Sequence, residues 1–177
     1  MGSPTHLLRR FVGSLRCGGP SEADRRWAME NLLPTEEDLW DRLSAADQRH
    51  AVAVARAAVK RLDEIEIERP VVAAALLHDV GKLESGLGTI GRVVATLVSM
   101  AVSSSTVASW SGVPGFRHQV AVYLRHPEEG AAVLLSAGSD PLTVSWAAEH
   151  HQKADAWTVE RLIGEALAEA DKDWGCP

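Results

Sequence analysis

Five histidines, His50, His78, His126, His150 and His151, lie far apart in the chain, and each stands beside an apolar run. Asp79 directly follows His78, Lys82 lies three residues further on, and Asp171 sits near the end of the last helical-looking segment. Imidazole and carboxylate together suit Mn, Fe, Co, Ni or Zn, and a carboxylate with two oxygens can bridge two ions. A bridged pair of divalent ions holds a hydroxide between them at neutral pH. It also clamps the attacking and leaving oxygens of a phosphoryl transfer. That chemistry needs ligands converging from several helices, so the ligands are widely spaced in sequence, unlike those of a zinc finger.

The stretch VVAAALLHDVGKL, from Val71 to Leu83, places three of these groups together. The pattern predicts a helix opened by Pro70, a good first helical residue. His78 and Asp79 are then about 100° apart around the helix. Both can reach a metal cluster beside it, with Asp79 in the bridging place. Lys82 projects from the same face, where its ammonium would neutralise a phosphate bound to the ions.

The elements that must position these groups are helical. Ser21 precedes a first helix that Pro34 ends, and Thr35 heads a second, acidic in its first turn. Ser44 caps a long helix carrying His50. Gly86, Gly88 and Gly91 form a loop, SGVPG breaks the chain before FRHQVAVYLRH, and Pro127 begins PEEGAAVLLSAG because His126 before it disfavours helix. Pro141 begins the helix ending in His150 and His151, and Thr158 begins the last one. No stretch alternates with period two for long enough to make a strand. The expected architecture is a single all-α domain, a bundle of seven to nine helices. It would span residues 21–177, with the site within 45–173 and a loosely ordered segment over 1–20.

Composition narrows the partners. The 177 residues carry a formal charge of −6, which argues against broad nucleic-acid or anionic-membrane binding. A small anionic substrate remains compatible, because a metal site supplies local positive charge. The two cysteines, Cys17 and Cys176, form no disulfide or zinc spacing, and no signal-peptide core opens the chain, so a reduced cytoplasmic setting is expected. Val93 to Trp110 is 18 residues without a charge, close to a spanning length of about 20. Seven Ser or Thr interrupt it, so a helix packed over a pocket, or touching a membrane surface, fits better than a spanning helix.

ALLHDVGKL, with an upstream His on a helix and a later Asp, resembles the HD superfamily of metal-dependent phosphohydrolases. HPEEGAAVLL followed by EHHQKAD is similar to its HD-GYP branch and the dinuclear relatives of that branch. The resemblance implies that His50, His78, Asp79 and Asp171 hold a first divalent ion. It implies that Asp79 bridges to a second, held by His126, His150 and His151, and that Lys82 contacts the substrate phosphate. The implied activity is hydrolysis of a phosphoester of a nucleotide or small phosphorylated metabolite by a metal-bridging hydroxide. Two other readings share these ligands: a non-catalytic module that binds metal and nucleotide to signal, and a di-iron oxygenase of the HD fold. Gln152 and Ala156 depart from the HD-GYP pattern and no Gly-Tyr-Pro follows, which argues against cyclic-dinucleotide hydrolysis. Ala46 stands where some members have a Glu, which favours two ions over three.

Several positions stay open on sequence alone. Val159, Leu162, Ile163, Ala166 and Ala170 define an inner face that points Asp173 closer to the core than Asp171, whereas the family pattern selects Asp171. Trp157, after the His pair, is a candidate for stacking on a nucleobase. Arg117, Arg125 and Lys153 are either solvated or line a substrate mouth. His6 and His118 fall outside the site.

Overall fold

Alanine-rich amphipathic segments with clear caps favour helix throughout, and among the described residues the computed structural model contains ten α-helices, three 3-10 turns and no strand. Those residues are 18–62 and 67–173, so His6, Cys17, Cys176 and most of the segment 1–20 lie outside them.

The helices are α1 (Glu22–Glu30), α2 (Pro34–Asp41), α3 (Ala45–Arg61), α4 (Arg69–Leu77), α5 (Thr89–Ala101), α6 (Ser104–Ser109), α7 (Phe116–Leu124), α8 (His126–Ser136), α9 (Pro141–Glu149) and α10 (Arg161–Asp173). Ser21 and Ser44 cap α1 and α3 by accepting from the backbone N–H three residues on. Pro34 is the first residue of α2 rather than the stop of α1. Its fixed φ suits that position, and the Glu36 carboxylate accepts from Leu33 N at 2.8 Å. Helix α10 begins at Arg161, three residues later than Thr158. The uncharged segment makes two helices, not one: the backbone turns extended at Val102 (φ −125°, ψ 141°) and Ser103 caps α6. That break supplies the tenth helix. No helix among the described residues is long and apolar enough to cross a membrane.

Helix α4 is the centre of the bundle. Val71 through Leu77 are all buried, and α3 and α9 flank it while α10 packs on α3. Burying a Leu side chain fully is worth about 1.5–3 kcal/mol, and Leu76 and Leu77 are 1% and 0% exposed. The end of α4, where the chemistry begins, is therefore the best-anchored point in the fold.

The α-helix stops at that point. His78 is its last αR residue (φ −54°, ψ −32°), Asp79 leaves helical geometry (φ −98°, ψ 5°), and Val80–Ser85 winds as a 3-10 helix until Gly86 (φ 63°) ends it. The expected continuous helix through Leu83 is corrected accordingly. The cause is a close approach: a Cβ on Gly81 would lie 2.0 Å from His126 O and 2.4 Å from Gly130 N. The backbone of this turn sits directly on the first turn of α8.

Candidate metal centre

Two triads of potential ligand atoms form from residues distant in the chain. His50 of α3, His78 at the end of α4 and Asp171 of α10 make one. His126 at the start of α8 and the pair His150–His151 at the end of α9 make the other. In each triad the three ligand atoms lie within 4.8 Å of one another. Small side-chain rotations reduce that spread to the coordination sphere of an ion with bonds of about 2.0–2.2 Å. Either triad could hold a metal ion.

Asp79 stands between them. Its Oδ2 is 3.5 Å from His78 Nε2 and 3.8 Å from His50 Nε2, while Oδ1 is 3.3 Å from His126 Nε2 and 3.8 Å from His150 Nε2. Asp171 Oδ1 closes the first triad at 3.2 Å from His50 Nε2 and 3.9 Å from His78 Nε2. Asp173 instead pairs with Arg61 at the surface. The inner face inferred from Leu162 was misplaced: Leu162 is 50% exposed, and Gly164 and Leu167 are buried with Ala166 and Ala170. That rotation brings Asp171 inward.

The rings are aimed by backbone carbonyls. His78, His126 and His150 each lie at a helix end or break, and each Nδ1 donates to a carbonyl three residues back, Ala75, Tyr123 and Ala147, at 2.9 Å. A carbonyl only accepts, so Nδ1 carries the proton and Nε2 presents its lone pair to the cluster. The break that allows this for His126 falls at Arg125 (φ −103°, ψ 18°), so α8 begins at His126, one residue before the start expected at Pro127.

The donor chemistry fits metal. The Nε2 atom of His150 is buried with no hydrogen-bond partner, and that of His126 faces an Asp79 oxygen at 3.3 Å; an unpartnered buried nitrogen is costly unless something occupies its lone pair. Burial lowers the pKa of His50, and the hydrogen bond to Asp171 only partly offsets it. Burial, reinforced by the neighbouring imidazoles, holds His150 well below its usual range. His151, at the more exposed edge of the cluster, is lowered to about 4 by the same causes. Burial opposes the charge on Asp79, yet the contacts led by the Lys82 ammonium overcome it and keep the carboxyl well below the ordinary range. Neutral imidazoles at His50, His150 and His151 and an ionised carboxylate at Asp79 are the protonation states that ligation requires.

Lys82 bonds Asp79 Oδ2 through a buried ammonium. Desolvation works against its charge, but Asp79 and Tyr123 raise its pKa on balance. The cluster opens into a cavity of about 450 Å³. His50, Asp79, Lys82, His126, His151 and Asp171 lie on its floor, and α5 roofs it, the pocket-covering position anticipated for the uncharged segment.

The other candidates separate clearly. Arg117, Arg125 and Lys153 do not line the cavity; Arg125 pairs with Glu129 at 3.1 Å and Arg117 lies over Trp110. Trp157 packs against Trp146 and Gly164 and donates to Glu149 O, so it is a wall of the bundle and does not line the cavity. His118 bonds Ser111 O, away from the cluster. Sequence reasoning missed Arg92, Asp47 and Tyr123, which do line the cavity. Asp47, one turn before His50 on the same helix, was the one with a signal.

Comparison with protein-family models, curated proteins and solved structures finds no match to this chain.

Proposed function

We propose that the protein is a metal-dependent phosphohydrolase of the HD type, cleaving a phosphoester with two divalent transition-metal ions. The observation that carries this reading is the place of Asp79, one carboxylate with each oxygen turned toward a different set of imidazoles. When bound, such ions would supply an activated water as nucleophile and offset charge on the phosphoryl oxygens. The chain's own groups do the rest. His50, His78 and Asp171 would hold one ion and His126, His150 and His151 the other, with the Asp79 carboxylate between the two sets. Lys82 stays protonated on the cavity floor and meets a phosphoryl oxygen, where a fixed buried charge stabilises the transition state more than the ester. The leaving oxygen takes its proton from solvent.

Turnover of p-nitrophenyl phosphate by the Mn(II)-loaded protein tests this. His78→Ala and Asp79→Ala are expected to abolish it. Undiminished turnover in both variants, or none with any divalent ion, would contradict the reading.

A further inference from the structure

Resting on the phosphohydrolase reading of the site, we propose that the substrate is a phosphomonoester of an apolar alcohol. Its aliphatic chain leaves the cavity over Leu97 and lies along the outer face of α5.

Helix α5 has three faces with three different surroundings. Ala95, fully buried, packs with Val98 against Val120 of α7. Arg92, Val93 and Thr96 face the cavity. Ile90, Val94, Leu97 and Met100 form an outer apolar stripe, 76%, 38%, 58% and 65% exposed. Leu97 belongs both to the cavity lining and to the stripe. Val93, Leu97 and Leu124 line the cavity beside Thr96 and Ser99, and Leu97 carries that apolar surface out to the stripe.

That surface is concentrated in one stretch of the chain. Among the described residues eight large hydrophobic side chains are exposed, and six of them lie between Ile90 and Phe116. No Asp, Glu, Lys, Arg or His occurs from residue 93 to residue 116. Scattered exposed hydrophobics need no explanation, but a grouped set beside a cavity marks a binding surface.

The charges in the cavity fit one phosphate and an uncharged remainder. Its two basic lining residues already hold carboxylates: Lys82 bonds Asp79, and Arg92 bonds Asp47 at 2.5 Å as well as Leu87 O at 3.0 Å. Besides these two, no Lys or Arg among the described residues lines the cavity to balance a second phosphate. With Trp157 committed to packing, Tyr123 is the only aromatic ring besides imidazole in the lining among the described residues, and it lies beside His126 at 5.9 Å. A nucleobase would therefore meet that single ring there, already beside an imidazole.

The reaction balances with water alone. The bond from phosphorus to the alcohol oxygen breaks and one from phosphorus to the water oxygen forms. One water proton ends on the alcohol and the other stays on inorganic phosphate.

Calorimetric titration of n-alkylphosphonates, from methyl to octyl, into the Mn(II)-loaded full chain reads the apolar contact without turnover. From butyl to octyl the Kd is expected to fall about two-fold per methylene, as for a chain buried on one side. Leu97→Ser should flatten that dependence. The double variant Ile90→Ser/Val94→Ser should flatten it too, while methylphosphonate binding stays unchanged. A Kd independent of chain length overturns the inference; if the chain also dimerises through α5, the stripe belongs to a second copy instead. Hydrolysis of ethyl phosphate alongside a flat chain-length dependence would leave the phosphohydrolase reading intact. Failure to hydrolyse either ethyl or octyl phosphate with Mn, Co or Fe(II) would remove that reading and the inference with it.

Discussion

Lys82 donates to the same Asp79 oxygen, Oδ2, that faces His50 and His78. The ammonium therefore competes with an ion for one lone pair and compensates for the ion when it is missing. Removing one partner of a buried charged pair costs about 3–5 kcal/mol. Lys82→Met is expected to lower the stability of the metal-free protein by about 3 kcal/mol in urea. Added Mn(II) should recover most of that loss. Activity of the loaded variant should fall about 100-fold in kcat/KM, the scale for one preorganised donor.

Gly81 couples the two halves of the centre. Any Cβ there strikes His126 O at 2.0 Å and the backbone of Gly130, neither of which is a flexible side-chain tip. Gly81→Ala should push α8 away from the turn and destabilise the fold by about 1–3 kcal/mol, as overpacking does. Metal content should drop selectively, with the His50–His78–Asp171 triad retained and the His126 triad impaired. Elemental analysis giving the wild-type value would show that α8 absorbs the methyl group.

Much of this arrangement was legible in the sequence because helix caps and apolar periods are local signals. Ser21, Ser44 and Pro141 each mark a helix start within one residue. The convergence of the histidines was legible only through the pattern of types along the chain. The turn after His78 was not, because it is imposed by Gly130 and His126, which lie about fifty residues away. Asp171 and Asp173 could not be separated by periodicity, since Leu162 is apolar yet half exposed and tilted the apparent face. Arg92 carries no local mark of its role, which depends on Asp47 across the cavity.

The metal-free protein should lose stability in mild acid. His50, His150 and His151 have folded pKa values below the unfolded value of about 6.5. Between the two values the unfolded chain binds more protons, so stability rises with pH there. The contribution is complete above about pH 6.5. It fades as the pH falls toward the folded values, about 4 for His151. Urea midpoints measured from pH 7.5 to 4.5 should fall steadily, and His150→Gln should shallow the slope. A flat profile would mean that these imidazoles are not held neutral.

Glu149 ties the His pair to the approach of α10. Its buried carboxylate accepts from Thr158 N at 2.7 Å and from Thr158 Oγ1 at 2.6 Å. Hydrogen bonds to a charged group contribute about 1.5–3 kcal/mol, so Glu149→Ala should lower stability by about 2 kcal/mol. Because His150 and His151 follow directly, Mn(II) affinity should also weaken by about 10-fold or more, as with supporting groups around other metal ligands. Calorimetry on the folded variant separates that effect from stability.

Metal stoichiometry tests the centre most directly. Untagged protein, loaded with Mn(II) and freed of excess ion, should carry two ions per chain by elemental analysis, and Asp79→Ala should fail to retain the pair. Wild-type protein that holds no ion, or an Asp79→Ala variant that holds as many as the wild type, would contradict the account.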